Sequence, residues 1–88
     1  MSPTVFRHLA EITNISANGV WLLTHDKALF MPYDEFPWFA EQSIKSIINV
    51  EEISDNHFYW PDLDVDLTLD MIEHPERFPL KAKNIEVA

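Results

Sequence analysis

Residues 60–73 read Trp60-Pro-Asp-Leu-Asp-Val-Asp-Leu-Thr-Leu-Asp-Met-Ile-Glu73, and the fold turns on how this stretch is divided. Pro61 holds Trp60 extended and removes a ladder donor, so the strand before it either ends there or lies at a sheet edge. Acids then recur at every second position from Asp62 to Asp66. Alternation with Leu63, Val65 and Leu67 suits an extended segment, acids on one side and apolar residues on the other. From Thr68 to His74 the pattern becomes helical, with Leu67, Leu69, Met71 and Ile72 apolar and Pro75 as the stop. Asp66 or Thr68 can cap this helix, and acids near its first turn suit the positive end of the helix dipole.

Upstream, the residues before Trp60 supply strands. His57-Phe-Tyr-Trp60 is a short strand preceded by turn chemistry at Ser54-Asp55-Asn56. Ile47 to Ile53 reads as the strand before that turn. Asp34-Glu35-Phe36-Pro37 opens a short helix through about Ser43, with Asp34 as cap and Pro37 in the first turn. Leu9 to Ser16, Val20 to His25 and Ala28 to Pro32 form a meander. Asn18-Gly19 marks its first hairpin, because both residue types tolerate positive φ, and Asp26-Lys27 marks its second turn. The expected order is β-β-β-α-β-β-α, a small antiparallel sheet with two short helices packed on it, in the α+β class. A single α+β domain is expected over residues 1–79, with residues 80–88 as a loosely ordered tail.

Composition narrows the function classes. Eighty-eight residues supply one core and bury about 60–65% of the unfolded surface. A single glycine cannot make a phosphate-binding P-loop or a dinucleotide fingerprint. The absence of cysteine excludes disulfides, thiolate zinc sites and cysteine nucleophiles. The longest apolar runs, Val20-Trp-Leu-Leu23 and Ala28-Leu-Phe-Met31, fall short of the ~20 residues of a membrane span. With no signal-peptide pattern at the start, a cytoplasmic protein is expected, with no membrane partner.

The net charge is −9, and between Lys45 and Arg77 there is no lysine or arginine while nine acids fall there, from Glu51 to Glu76. Phosphate binding needs clustered basic residues, so this half does not bind nucleic acid by itself. It attracts a cation or a basic protein.

Three features in fixed order carry a family resemblance: Leu29-Phe-Met-Pro-Tyr33 closing the meander, the Phe36-Pro37 helix start, and Trp60-Pro-Asp-Leu-Asp-Val-Asp-Leu67 before an apolar helix. Over about residues 10–72 the chain resembles the bacterial domain-of-unknown-function family 2442, whose hallmark is a Trp-Pro-x-Leu-Asp-x-Asp-Ile/Leu segment. The resemblance implies an α+β fold without an established enzyme activity. It also implies a gene neighbourhood with a small partner protein, in pairs resembling toxin–antitoxin modules. The segment from Pro75 to Ala88 extends beyond that pattern.

Candidate sites follow from the residues. Asp62, Asp64, Asp66, Thr68, Asp70 and Glu73 match positions 1, 3, 5, 7, 9 and 12 of a calcium-binding EF-hand loop. Against that reading stand Leu67, where the loop requires glycine, and Pro61, where a helix should precede. Asp62, Asp64, Asp66, Asp70 and Glu73 are therefore weak metal candidates, and neither a metal nor a cofactor is expected. Paired carboxylates for acid–base work would need a cleft that separates their pKa values, and no serine sits in a nucleophile elbow. No catalytic constellation is visible, so a non-enzymatic role is expected. His8, His25, His57 and His74 share no metal-like spacing, and His74 suits a helix C-terminus.

Among the tryptophans, Trp21 reads as core. Trp38 lies off the Phe36/Phe39 face and is the exposed candidate, and Trp60 fits either role. The tentative partner-binding set is Trp38, Trp60, Asp62, Asp64 and Asp66. The leading expectation is an interaction domain that binds a small basic protein through its acidic face, antitoxin-like. The alternative is a cation- or small-ligand-binding regulatory module using Asp62 to Glu73. Edge strands and exposed aromatics leave a homodimer open.

Overall fold

A computed structural model describes residues 10–25 and 27–78; Asp26, His8 and the expected tail at 80–88 lie outside the described residues. Among the described residues, six strands form two antiparallel sheets of three, each in simple sequence order. The first sheet comprises β1 (Glu11–Ile15), β2 (Gly19–Leu23) and β3 (Ala28–Pro32). The second comprises β4 (Glu51–Ser54), β5 (His57–Trp60) and β6 (Val65–Thr68). Helix α1 (Ile44–Ile48) precedes β4, and helix α2 (Leu69–Glu73) follows β6 directly. The α+β class and the order β-β-β-α-β-β-α hold, with the strands divided between two sheets and β6 inserted before the last helix.

Alternation explains the packing. Val20 and Leu22 of β2 and Met31 of β3 point inward, as do Phe58 and Trp60 of β5 and Val65 and Leu67 of β6. They share one hydrophobic cluster with Phe36, Phe39, Ile47, Leu63 and Ile72. Burial of this apolar area is the main stabilising term, and the period-two pattern fixes the register, since a one-residue slip would turn every core residue to water.

The first hairpin keeps its place but not its expected reason. Neither Asn18 nor Gly19 has positive φ. Glycine is required at 19 for space: a Cβ there would lie 2.5 Å from the Met31 carbonyl oxygen, 2.6 Å from Phe30 Cζ and 2.8 Å from Pro32 Cα. β3 therefore passes closer to the chain at Gly19 than any side chain allows. Tyr33, just past the end of the third strand, fastens the turn, its N–H donating to Asn18 O at 3.1 Å and its hydroxyl to Ser16 O at 2.8 Å.

The helix expected from Asp34 to Ser43 is reduced to one 3₁₀ turn at Pro37–Phe39, which no side chain caps. Ala40 is extended and Glu41 is left-handed at φ 62, so the turn cannot propagate. The helix forms later, where Ser43 accepts a hydrogen bond from the Ser46 N–H. This cap converts Ile47 and Ile48 from the expected strand into helix and sends Ile47 into the core. Elsewhere the capping expectation is resolved in favour of Thr68, whose hydroxyl accepts from the Met71 N–H at 3.2 Å. The turns into β5 and β6 each use a left-handed residue, Asn56 and Asp64, types that adopt αL most readily after glycine.

Candidate functional site: the outer face of the second sheet

The register of the second sheet fixes which side chains share its solvent face. Glu51 pairs with Tyr59 and Tyr59 with Asp66, giving one row across three strands. Ser54 pairs with His57 and His57 with Thr68, giving a second row. The residues between them, Phe58, Trp60, Val65 and Leu67, are buried. Acids of the alternating motif therefore face water because their neighbours occupy the core. His57 Nε2 and Asp66 Oδ1 meet across β5 and β6, and Tyr59 is half-buried between the Glu51 and Asp66 positions.

The remaining acids are directed elsewhere. Asp62 accepts from Asn49 Nδ2 at 3.1 Å, and Asp64 is exposed at the left-handed corner before β6. Asp70 lies 3.7 Å from the Arg77 guanidinium. Glu73 accepts from Lys27 Nζ at 2.6 Å, and this hydrogen bond holds its carboxyl below the ordinary value of 4.5. No lysine or arginine among the described residues forms an ion pair with Glu51, Asp55, Asp62, Asp64 or Asp66.

The calcium-loop spacing thus does not become a calcium loop. Val65 and Leu67, which that loop would need in a tight turn, are inward-facing strand residues. No group of three or more histidines or acids is placed to hold a metal ion among the described residues. A shallow, open depression of about 440 Å³ does lie beside the motif, lined by Ser54, Asp55, Asn56, His57, Thr68, Leu69, Asp70 and Glu73. Two of its carboxylates, Asp70 and Glu73, already face Arg77 and Lys27.

The Lys27–Glu73 pair has a measurable signature. The depressed Glu73 pKa means that its contribution is complete above the unfolded value and is lost as pH falls through the folded one. Glu73→Gln should therefore lower stability slightly at neutral pH and low salt. The difference from wild type should begin to shrink near pH 4.5 and vanish only below the lowered folded-state value, and it should also shrink as salt rises, which urea melts across pH and salt would show.

The tryptophans require a correction. Trp38 is 9% exposed and packs edge-on against Phe36, so it is not the exposed anchor that its spacing suggested. Trp60 is fully buried, donates from Nε1 to Ile47 O at 2.9 Å and meets Phe39 edge-on at 4.9 Å. Both are core residues. Trp21, expected in the core, is 39% exposed on the outer face of the first sheet, tilted over Phe30 at 5.1 Å. The Glu51–Tyr59–Asp66 row and the His57–Asp66 contact depend on strand register, which spacing along one strand does not encode.

No helix among the described residues is long and apolar enough to cross a membrane. No curated protein and no solved structure matches the chain. The family model described as "Protein of unknown function (DUF2442)" matches residues 9–78. Spanning both sheets and both helices, that match places this chain in the DUF2442 family.

Proposed function

We propose that this domain is a non-enzymatic interaction module that binds a small basic protein through the outer face of its second sheet, in the manner of an antitoxin. The observation that carries this reading is the Glu51–Tyr59–Asp66 row, which no lysine or arginine among the described residues neutralises, with Asp64 exposed at the corner that leads into β6. An aromatic ring between two carboxylates suits a lysine or arginine side chain, by charge and by contact with the ring face. The net charge of −9 adds long-range attraction, which speeds association and makes it sensitive to salt.

The test is kinetic. A basic partner captured from the source organism should associate with the wild-type domain much faster at low than at high salt. The triple variant Glu51→Gln/Asp64→Asn/Asp66→Asn should lower the low-salt association rate by about tenfold while leaving the melting temperature near that of wild type. Identical rates at both salt concentrations, or an unaffected triple variant, would refute the acidic-face reading.

A further inference from the structure

We infer that Asn18 is a site of spontaneous deamidation, and that opening of the β1–β2 turn controls its rate. The chemistry requires an asparagine followed by an unhindered backbone nitrogen, and Gly19 is the one glycine in the chain. Its amide nitrogen, after losing its proton to base, attacks Asn18 Cγ. The side-chain nitrogen leaves as ammonia, and a five-membered succinimide closes. Water then opens the ring at either carbonyl, giving aspartate or isoaspartate. No oxidant or cofactor enters the balance.

Asn18 is exposed at the tip of the turn, and no hydrogen bond ties its carboxamide to another described residue. Water and base can therefore reach it. Ring closure, however, requires the Asn18–Gly19 peptide to rotate so that the nitrogen approaches Cγ. The native turn resists that rotation at three points. Tyr33 N–H holds Asn18 O at 3.1 Å, Ser16 N–H holds Gly19 O at 2.9 Å, and Gly19 lies in a cleft with no room for even a Cβ. Reaction then proceeds from transient openings of the hairpin, a local event that needs less free energy than global unfolding. The Tyr33 hydroxyl, on Ser16 O, is the part of this clasp that a substitution can remove without touching the reacting residues.

The products differ in consequence. Aspartate adds one negative charge and keeps the backbone. Isoaspartate inserts a methylene into the main chain, which moves the carbonyl away from Tyr33 and disrupts the register of a turn that this fold cannot widen.

The experiment incubates full-length wild type, Tyr33→Phe and Asn18→Gln in mildly alkaline buffer, each with and without denaturing urea. Peptide mapping follows the mass gain of amide-to-acid conversion at residue 18. Unfolded wild type should convert several-fold faster than native wild type, native Tyr33→Phe should fall between them, and Asn18→Gln should show no conversion on this timescale. Equal rates for native and unfolded wild type would overturn the gating. Native Tyr33→Phe matching native wild type would overturn the role of the clasp, and no conversion in urea would overturn the site itself.

Discussion

Gly19→Ala should destabilise the domain by about 3 kcal/mol, the upper part of the range for forcing atoms into a packed site. The added methyl group would meet the Met31 carbonyl at 2.5 Å and Pro32 Cα at 2.8 Å. Both are backbone atoms of β3, which is hydrogen-bonded to β2 along its length and cannot move aside as a side chain can. The Phe30 ring, the third obstacle, is pinned against Trp21. Since φ at position 19 is not positive, Gly19→Asn should be no milder than alanine, whereas a left-handed site would tolerate asparagine better. Urea denaturation followed by circular dichroism separates the two explanations. An asparagine variant as stable as wild type would show that conformation, not space, demands the glycine.

The second large effect is expected at Trp60. Trp60→Ala removes a fully buried indole and should cost about 3–5 kcal/mol, a large share of the roughly 5–10 kcal/mol that a domain of this size holds. Trp60→Phe separates two contributions. It keeps an aromatic ring against Phe39 but leaves the Ile47 carbonyl without its 2.9 Å donor, a buried loss of about 1–3 kcal/mol. That hydrogen bond links β5 to α1, so amide exchange in α1 should accelerate in Trp60→Phe more than exchange in the first sheet. A uniform change across both sheets would show that Trp60 acts only as bulk.

These two residues also show what the sequence made legible. Five of the six strands were readable, because alternation and turn residues act locally and the core faces are strongly apolar. β6 was half legible: the alternating acids from Asp62 to Asp66 indicated an extended segment, but four residues with one acid, Val65 to Thr68, gave no sign that a neighbouring strand pairs with them. The helix at Ile44–Ile48 was missed because three isoleucines in five residues resemble a strand, and the Ser43 cap outweighed that propensity. Trp38 and Trp21 exchange their expected places, since α-helical periodicity does not apply to the single 3₁₀ turn that holds Trp38. The acidic character of the site was plain from composition. Its geometry, with Tyr59 set between Glu51 and Asp66, exists only once three strands are in register.

Each sheet joins strands that are consecutive in the chain, and this has a kinetic meaning. Closing such loops costs little entropy, so each meander can assemble from local encounters before the two halves meet. The tie from Trp60 to Ile47 and the ion pair from Lys27 to Glu73 should then form at different stages. The former is made within the second half of the chain, and the latter only when the halves dock. Lys27–Glu73 is thus expected to close late, and its loss should speed unfolding while leaving the folding rate almost untouched, which stopped-flow rates of Glu73→Gln would check.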